Sequence, residues 1–265
     1  MWVSGRVRSV TATATQPLAS FRDLRYLADN SQVTRACIEL RKSEFRARDW
    51  DLVPDPAAGP ADPRDMQERR DNALRFLRRP DPNYGTFGSW LDAALELVFT
   101  VDALAILMST GCAILLDGAC LEPVLDDSGR VTRYRHHLRP VSRRTAMEMI
   151  TEGPASGHIG EYGPGDILLY RPCLTRAWTP FGFSPVEQAI SYRNDGSVDV
   201  EASEAKILKF FALPPEALGM PPVDDGEVDR DGWLHHRLMW FASVMDEVLG
   251  NSGLRWKWAP AVGGR

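Results

Sequence analysis

Two adjacent histidine pairs are the residues of this 265-residue chain that most readily suggest metal chemistry, His136-His137 and His235-His236. Neighbouring side chains point about 100° apart on a helix and about 180° apart on a strand, so neither pair alone holds one ion well. The sequence contains no Glu-x-x-His or His-Glu-x-x-His motif, which would place further ligands on one helix face. The pairs therefore indicate surface or interface histidines.

Asp126-Asp127 could also bind a cation, and with His136 or His137 it would form the site of a small metal-dependent nuclease. A hairpin turn over residues 126–129 explains the same acidic pair more simply. Gly163-Pro164-Gly165 precedes a strand, whereas a phosphate-binding loop must lead into a helix N-terminus. We therefore predict no catalytic residue, no metal and no cofactor.

Ser184 is better explained as a helix cap than as a nucleophile, because it lacks the Gly-x-Ser-x-Gly context of a nucleophile elbow. The strand-like segment 165–172 precedes it, and a tight turn at Gly182 separates the two. Pro185 suits the first helical position, where its missing N–H has no partner to lose. We expect a positive φ at Gly182, which glycine adopts at low cost.

The composition is that of a soluble globular protein, with 44% hydrophobic and 25% charged residues. No apolar run approaches the roughly 18 residues of a membrane span, and Met1–Thr15 lacks the apolar region of a secretory signal. The four cysteines form no Cys-x-x-Cys pair, which predicts reduced and mostly buried thiols. These features indicate neither a membrane nor an exported protein.

Charge is distributed unevenly along the chain, although the net charge is only −5. Residues 6–48 carry nine basic and four acidic residues, and residues 195–231 carry ten acidic and three basic ones. The acidic stretch also contains Gly and Pro, a composition that packs poorly, so we expect it to be solvated. A protein that simply coats nucleic acid would be basic overall, and this class is disfavoured.

Hydrophobic periodicity predicts an α+β fold. Helices are predicted from near Ser20, after Ser31, from Asp62-Pro63, from about Phe87 and over Leu234–Val248. Strands are predicted at Asp49–Val53, Cys112–Leu116, Leu121–Leu125, Val131–Tyr134 and Trp256–Trp258. The pattern over residues 135–160 assigns no element.

Several segments resemble portal proteins of tailed bacteriophages, and they occur in that family's order from about Pro17 to Gly264. Phe181–Gln188 is similar to the family's Tyr-Gly-Phe-Ser-Pro-Val-Glu-Gln segment, with Phe181 in place of tyrosine. The other similar segments are Arg41–Glu44, Asp49–Pro54, Phe76–Asn83, Leu115–Pro123 and Leu249–Arg255.

The resemblance implies a wing of helices and short antiparallel strands with a stem helix and a clip-like segment, the crown being absent. It divides the chain into a wing-like region at 1–180, a stem and clip-like region at 181–250 and a return segment at 251–265. The helix over Trp233–Leu249 would be the stem helix. The residues that match the family's motifs are Gly182, Ser184, Pro185, Glu187, Gln188, Gly250 and Asn251.

The resemblance further implies a non-enzymatic ring, usually a dodecamer, at one capsid vertex through which double-stranded DNA is packaged and ejected. The expected partners are other copies of the chain, the terminase large subunit, capsid proteins, head-completion or adaptor proteins and non-specifically bound DNA, with no membrane. The expected location is the virion, and the bacterial cytoplasm during assembly. The candidate channel residues are Asp195, Asp199, Glu201, Glu204, Asp224, Asp225, Glu227, Asp229 and Asp231.

Two departures from the family pattern leave alternatives open. Asn194-Asp195-Gly196-Ser197 soon follows the Ser-Pro-Val motif, so the long helix usual at that place is expected to be short or broken. The sequence stops at Arg265, whereas portals usually continue, which suggests a compact, truncated or degenerate portal. The alternatives are an inactive prophage remnant of a portal and the small nuclease or another α+β enzyme.

Overall fold

A computed structural model describes residues 19–59, 62–109, 111–143, 146–170, 174–175, 181–219 and 230–259. Its helices are α1 (Phe21–Asn30), α2 (Gln32–Arg46), α3 (Pro63–Arg78), α4 (Phe87–Val101), α5 (Ala146–Glu152), α6 (Pro185–Ala189), α7 (Val200–Phe210) and α8 (Arg230–Leu249). Its strands are β1 (Trp50–Pro54), β2 (Leu104–Ser109), β3 (Cys112–Asp117), β4 (Leu121–Leu125), β5 (Val131–His136), β6 (Gly160–Tyr162), β7 (Ile167–Tyr170), β8 (Leu174–Thr175), β9 (Gly182–Phe183) and β10 (Leu254–Trp258). The predicted α+β class is confirmed.

Side-chain caps set the starts of the first helices, as the sequence predicts. The Ser20 hydroxyl accepts a hydrogen bond from the Asp23 amide at 3.0 Å, and the Ser31 hydroxyl accepts one from the Thr34 amide at 3.0 Å. Each bond satisfies an amide that has no partner within the helix. Asp62 caps α3 in the same way through the Arg64 amide, with Pro63 in the first helical position.

Two three-stranded antiparallel sheets lie next to each other, in the strand orders β3-β2-β7 and β4-β5-β6. The pairs β2–β3 and β4–β5 are local hairpins, whereas β6 pairs with β5 after a connection that contains α5, and β7 returns to pair with β2. The predicted strands at Cys112, Leu121 and Val131 are confirmed, and the stretch 135–160 contains α5 and β6. That stretch escaped prediction because both elements are too short for a periodic signal.

The sheet β3-β2-β7 separates two apolar cores, because successive side chains of a strand point to opposite faces. Leu104 and Ile106 of β2 belong to the main core with the helices. Ala105 belongs to a smaller core, which it shares with Leu121 of β4 and Ile167 of β7. The first sheet therefore lies between the helices and the smaller core, while Met149 of α5 and Leu125 of β4 also contact the main core.

The main core includes residues from Phe21 in α1 to Trp256 in β10. Residues from all three regions predicted from the sequence, 1–180, 181–250 and 251–265, contribute to this core. The expected stem helix, α8, packs Phe241 and Met245 into this core, and the strand that follows it, β10, pairs with β1. Within the described ranges, no helix is long and apolar enough to cross a membrane.

The acidic stretch is only partly solvated, which corrects the expectation from composition. Its residues 200–210 form α7, and Asp199 caps this helix by accepting from the Ala202 amide at 3.0 Å. Ile207 and Phe211 are fully buried in the main core. A count of acidic residues could not predict this helix, because a count ignores position. The apolar residues of the helix, four apart, face inward, while the acids face outward.

Arg41 of α2 joins α7 to the rest of the fold. Its side chain is fully buried and donates hydrogen bonds to the backbone carbonyls of Phe211 and Ala212. It forms an ion pair with Glu44 and lies 4.3 Å from the ring centroid of Trp233 in α8. The guanidinium therefore satisfies the carbonyls that the end of α7 leaves without helical partners.

We predict that Arg41→Ala lowers the free energy of unfolding by about 3–5 kcal/mol, because it leaves buried carbonyls and Glu44 without their cation. Arg46→Ala removes an arginine of the same helix whose side chain is 44% exposed, and should cost about 0–1 kcal/mol. Urea denaturation monitored by tryptophan fluorescence measures both values. Equal losses in the two variants would contradict the role assigned to Arg41.

Candidate functional site

The segment that carries the strongest family resemblance, Phe181–Gln188, lies beside the C-terminus of α4. Its side chains and backbone meet two residues from elsewhere in the chain, Asp102 and Arg143. We call Asp102, Arg143, Gly182, Ser184 and Glu187 the Arg143 cluster. All five residues are buried or nearly so, with Asp102 and Ser184 fully buried.

Glycine is required at position 182 because the backbone there lies close to Asp102. The positive φ expected from the sequence is wrong, since Gly182 is not among the residues with φ above zero. A Cβ atom at this position would lie 2.6 Å from the Asp102 carbonyl oxygen and closer still to the Asp102 carboxylate. That carboxylate accepts a hydrogen bond from the Phe183 amide at 2.9 Å. Asp102 itself has φ 49°, the left-handed conformation, at the end of α4.

Ser184 begins α6, as predicted, and also fixes its position against α4. The Ser184 hydroxyl accepts from the Glu187 amide at 3.1 Å and donates to the Thr100 carbonyl at 2.8 Å. Pro185 occupies the first turn of the helix. The Gln188 amide group donates to the Phe183 carbonyl at 3.2 Å. The Ser184 hydroxyl is thereby used for structure both as a donor and as an acceptor.

Glu187 and Arg143 form a buried ion pair, with 2.7 Å between Oε1 and the guanidinium nitrogen and side chains 3% and 1% exposed. The same guanidinium donates to the carbonyls of Ala19 at 2.9 Å and Gly182 at 2.6 Å. Removing two charges from water is costly, and the attraction together with these hydrogen bonds offsets that cost. One arginine thus links the start of α1, β9 and α6.

Aromatic rings cover the ion pair. The rings of Phe21 and Phe181 meet edge to face, with centroids 5.7 Å apart. The Arg143 guanidinium lies 5.2 Å from the Phe21 centroid and 5.8 Å from the Phe181 centroid. Such contacts favour a cation over an aromatic face and exclude water from the pair. The arrangement contains a satisfied helix cap and a shielded ion pair, and it offers no activated nucleophile.

Sequence reasoning missed Asp102, Thr100 and Arg143. Asp102 did carry a signal, because it is the one charged residue in the apolar run from Leu97 to Met108. An acid in such a run indicates a buried partner. Arg143 lies in the stretch that had no assigned structure, and nothing local distinguishes it from its basic neighbours.

A second family-like segment also has a structural role. Asp117 accepts from the Arg25 guanidinium at 2.6 Å and caps the 3-10 turn Gly118–Cys120 through the Ala119 amide at 3.0 Å. A Cβ at Gly118 would lie 2.7 Å from the Ala103 carbonyl carbon, so this glycine also permits a close approach. Near the end of α8, Gly250 has φ 56° and Asn251 belongs to the 3-10 turn Gly250–Ser252.

The residues of the hypothetical nuclease site do not come together. Asp126 accepts from the amides of Ser128 and Arg130 at 2.9 Å, as the predicted hairpin turn requires. His136 pairs with Leu121 at the opposite end of the β4–β5 hairpin, about 17 Å from Asp126 at 3.4 Å per residue. In the described ranges, no three His, Cys, Asp or Glu side chains are grouped as metal ligands would be.

The histidines have other surroundings. His137 is buried, with its Nε2 atom 3.1 Å from Glu122, whose carboxylate also accepts from the Ala155 amide. Burial lowers the pKa of His136. His235 and His236 are exposed on α8. The exposed His235 and His236 fit the surface role that the sequence favoured, whereas His137 is buried beside Glu122.

The thiols of Cys37 and Cys120 are buried, and burial raises the pKa of each to about 12. The Asp117 carboxylate adds to the shift at Cys120. Cys112 is half-buried and also free, and Cys173 lies outside the described residues. Neither buried thiol is therefore activated as a thiolate.

The acidic residues predicted to line the channel differ in their hydrogen-bond partners and in their exposure. Asp195 accepts from the Ser197 amide and hydroxyl, which lowers the pKa of its carboxyl group. Glu204 accepts from the Ser31 hydroxyl at 2.6 Å, and Glu201 is exposed. Asp224, Asp225, Glu227 and Asp229 lie outside the described residues, as does the side chain of Asp231.

We predict that Gly182→Ala lowers the free energy of unfolding by about 1–3 kcal/mol, because the methyl group collides with the Asp102 backbone. Gly165→Ala is the matched control, since a Cβ there meets no atom within 4 Å. Thermal and urea unfolding give both values. A Gly182→Ala protein as stable as the Gly165→Ala protein would contradict the close approach.

Neither a known family profile nor a curated protein sequence matches the chain. Its fold does match chains in solved structures of gene transfer agent (GTA) particles. The neck of an empty GTA particle, computed with C6 symmetry, contains a chain with a TM-score of 0.61 and 12% identity, covering 98% of this chain and 90% of that one. The neck of the native GTA particle, computed with C12 symmetry, gives the same values.

The virion of the native GTA particle contains a similar chain, with a TM-score of 0.58 and 12% identity, covering 94% of this chain and 87% of that one. At this identity the likeness concerns the fold. The chain therefore has, over nearly its whole length, the fold of a protein found in the neck of GTA particles.

Proposed function

We propose that this protein is a portal-like subunit of a phage-type particle, forming a ring at one capsid vertex through which double-stranded DNA passes. The observation that carries the proposal is the fold shared with neck chains over 98% of this chain. The six portal-like segments add independent support, because they occur in the family's order. In this role the protein acts without catalysis, as a component of the virion.

The Arg143 cluster is consistent with this proposal because its residues have a structural role. The residues that match the family's motif, Gly182, Ser184, Pro185, Glu187 and Gln188, form the junction between α4, α6 and β9. A motif of this kind preserves a fold, and a ring subunit acts through its shape and surfaces.

A ring subunit would contact copies of itself and the proteins on either side of the neck. By the family resemblance, we propose the terminase large subunit, capsid proteins and head-completion or adaptor proteins as partners. The C12 symmetry belongs to the GTA neck. For this chain we propose a dodecamer by the same resemblance. The particle would be the site of action, after assembly in the bacterial cytoplasm.

We also propose that the acidic stretch faces the DNA path. Asp195, Glu201 and Glu216 are exposed, and Asp195 keeps its charge because its hydrogen-bond donors, the Ser197 amide and hydroxyl, are neutral. The acids from Asp224 to Asp229 add to this charge. A ring repeats that charge in every subunit and produces a strong local field. Like charge facing phosphate keeps DNA from adhering, because affinity grows with the number of phosphates neutralised.

We expect the purified protein to form closed rings, visible by negative-stain electron microscopy and as one large species in native mass spectrometry. A folded monomer at micromolar concentration would contradict the proposal and favour the inactive remnant. Metal-dependent DNA cleavage that is lost in Asp126→Ala or His137→Ala would favour the nuclease instead. Particle images, mass and the cleavage assay together therefore separate the three functions.

We further predict that Asp224→Lys, Asp225→Lys and Glu227→Lys together create salt-sensitive DNA binding while leaving the fold intact. The measurement is retention of double-stranded DNA at low and high salt. The control reverses three scattered exposed acids, Asp29, Asp71 and Asp127, and changes the net charge equally. Tight binding by the wild type would contradict the proposal, as would equal retention by the two variants.

A further inference from the structure

A pocket of about 400 Å³ lies where α3, the β2–β3 hairpin and the end of α8 meet. All three contribute to its apolar lining, which consists of Ala73, Phe76, Met108, Val248 and Leu249. The volume is within the range of small-molecule sites, which are mostly apolar and carry a few polar groups that orient the ligand. Such a pocket has no part in the ring function proposed above.

One side of the pocket carries hydrogen-bond donors of α3. Arg69 and Asn72 both line it and are three positions apart, so they are neighbours on the helix surface. Within the described ranges, the Arg69 guanidinium forms no ion pair or hydrogen bond, and Asn72 uses only its side-chain oxygen, which accepts from Arg75 at 3.1 Å. None of the described residues that line the pocket is acidic. The apolar pocket therefore has one positive side with donors available to an anion.

Gly253 leaves room for the cation at this place. Its φ is 74°, and a Cβ atom there would lie 2.9 Å from Nη1 of Arg69. The Arg69 guanidinium therefore lies against the backbone of the turn after α8, where Ser252 also lines the pocket. This contact places the charge beside the apolar lining.

Hydrogen bonds connect the walls formed by α3 and β3. The Ala113 amide of β3 donates to the carbonyl of Pro80, two residues beyond the end of α3, at 2.7 Å. The next outward-facing amide of β3, that of Leu115, donates to the Asp81 carboxylate at 2.7 Å. Because these bonds already hold the two walls together, a ligand would require little further ordering of the protein.

We propose that this pocket binds an apolar monocarboxylate such as decanoate, with its carboxylate on Arg69 and Asn72 and its alkyl chain over Phe76, Met108 and Leu249. A carboxylate matches the planar guanidinium, which can donate two parallel hydrogen bonds to it. Each CH₂ group that leaves water for the apolar lining tightens binding about fourfold. The inference goes beyond the proposed function and is independent of whether the chain forms a ring.

Cys112 also lines the pocket, so its reactivity measures occupancy. It is half-buried, whereas Cys37 and Cys120 are buried with pKa values raised to about 12. A Cys173→Ser variant therefore offers one reactive thiol. N-ethylmaleimide should add one label per chain by intact mass spectrometry, and decanoate should slow this reaction in a saturable way.

Binding to the folded chain alone should also raise its melting temperature as the concentration of decanoate rises. Octanoate lacks two CH₂ groups and should need about a 15-fold higher concentration for the same protection of Cys112. Decyltrimethylammonium has the same chain length with the opposite charge and should protect far less than decanoate.

The role of the carboxylate is tested by changing its partner. Arg69→Gln should weaken protection by decanoate by up to about fivefold, the value of one exposed ion pair, and should leave protection by uncharged 1-decanol unchanged. The matched control is Arg78→Gln, which removes an exposed arginine of the same helix that does not line the pocket. It should leave protection by both compounds unchanged.

Saturable protection of Cys112 that depends on Arg69 for decanoate and not for decanol supports the site. Protection by decanoate that is equal in the wild type and in Arg69→Gln overturns the assigned position of the carboxylate. Decanoate that gives no protection below the concentration at which it forms micelles overturns the pocket as its site. Ring formation, measured separately by electron microscopy, bears on the proposed function and leaves these outcomes unaffected.

Discussion

The buried ion pair between Arg143 and Glu187 is the interaction on which the arrangement of the helices depends. Its guanidinium reaches the carbonyls of Ala19 and Gly182 as well, so one side chain determines where α1, β9 and α6 meet. Losing one partner would leave the other charged in a site without water, a cost of several kcal/mol. The cluster therefore makes the junction specific, because another arrangement of these elements would separate Arg143 from Glu187 and from the two carbonyls.

The sequence predicted those features of the structure that depend on residues close together along the chain. Ser20, Ser31 and Ser184 cap helices because a hydroxyl three positions before an amide can reach it, and this geometry is local. The partner of Glu187 could not be predicted in this way. Arg143 lies 44 residues away along the chain, and only the tertiary fold brings the two together.

The prediction that relied on amino-acid composition and not on hydrophobic periodicity was wrong in part. The acids around α7 suggested a solvated stretch, yet Ile207 and Phe211 occupy the core, and Arg41 holds the end of the helix. Gly182 shows a related error, because a glycine at a turn suggested a left-handed backbone. The actual reason is the lack of space beside Asp102, which depends on a neighbour 80 positions away. Both failures came from contacts that no local pattern records.

The turn between α6 and α7 is a place where the chain can become longer without a change in the rest of the fold. The Arg193 amide donates to the Ser197 carbonyl at 2.9 Å, and the Asp199 amide donates to the Ser191 carbonyl at 2.8 Å, so the two ends of the turn are adjacent. Its tip is exposed. Each doubling of a loop costs only about 0.6 kcal/mol of closure entropy, so a longer excursion could begin and end here without disturbing the core. Related chains can therefore differ greatly in size at this point and keep the same architecture around it.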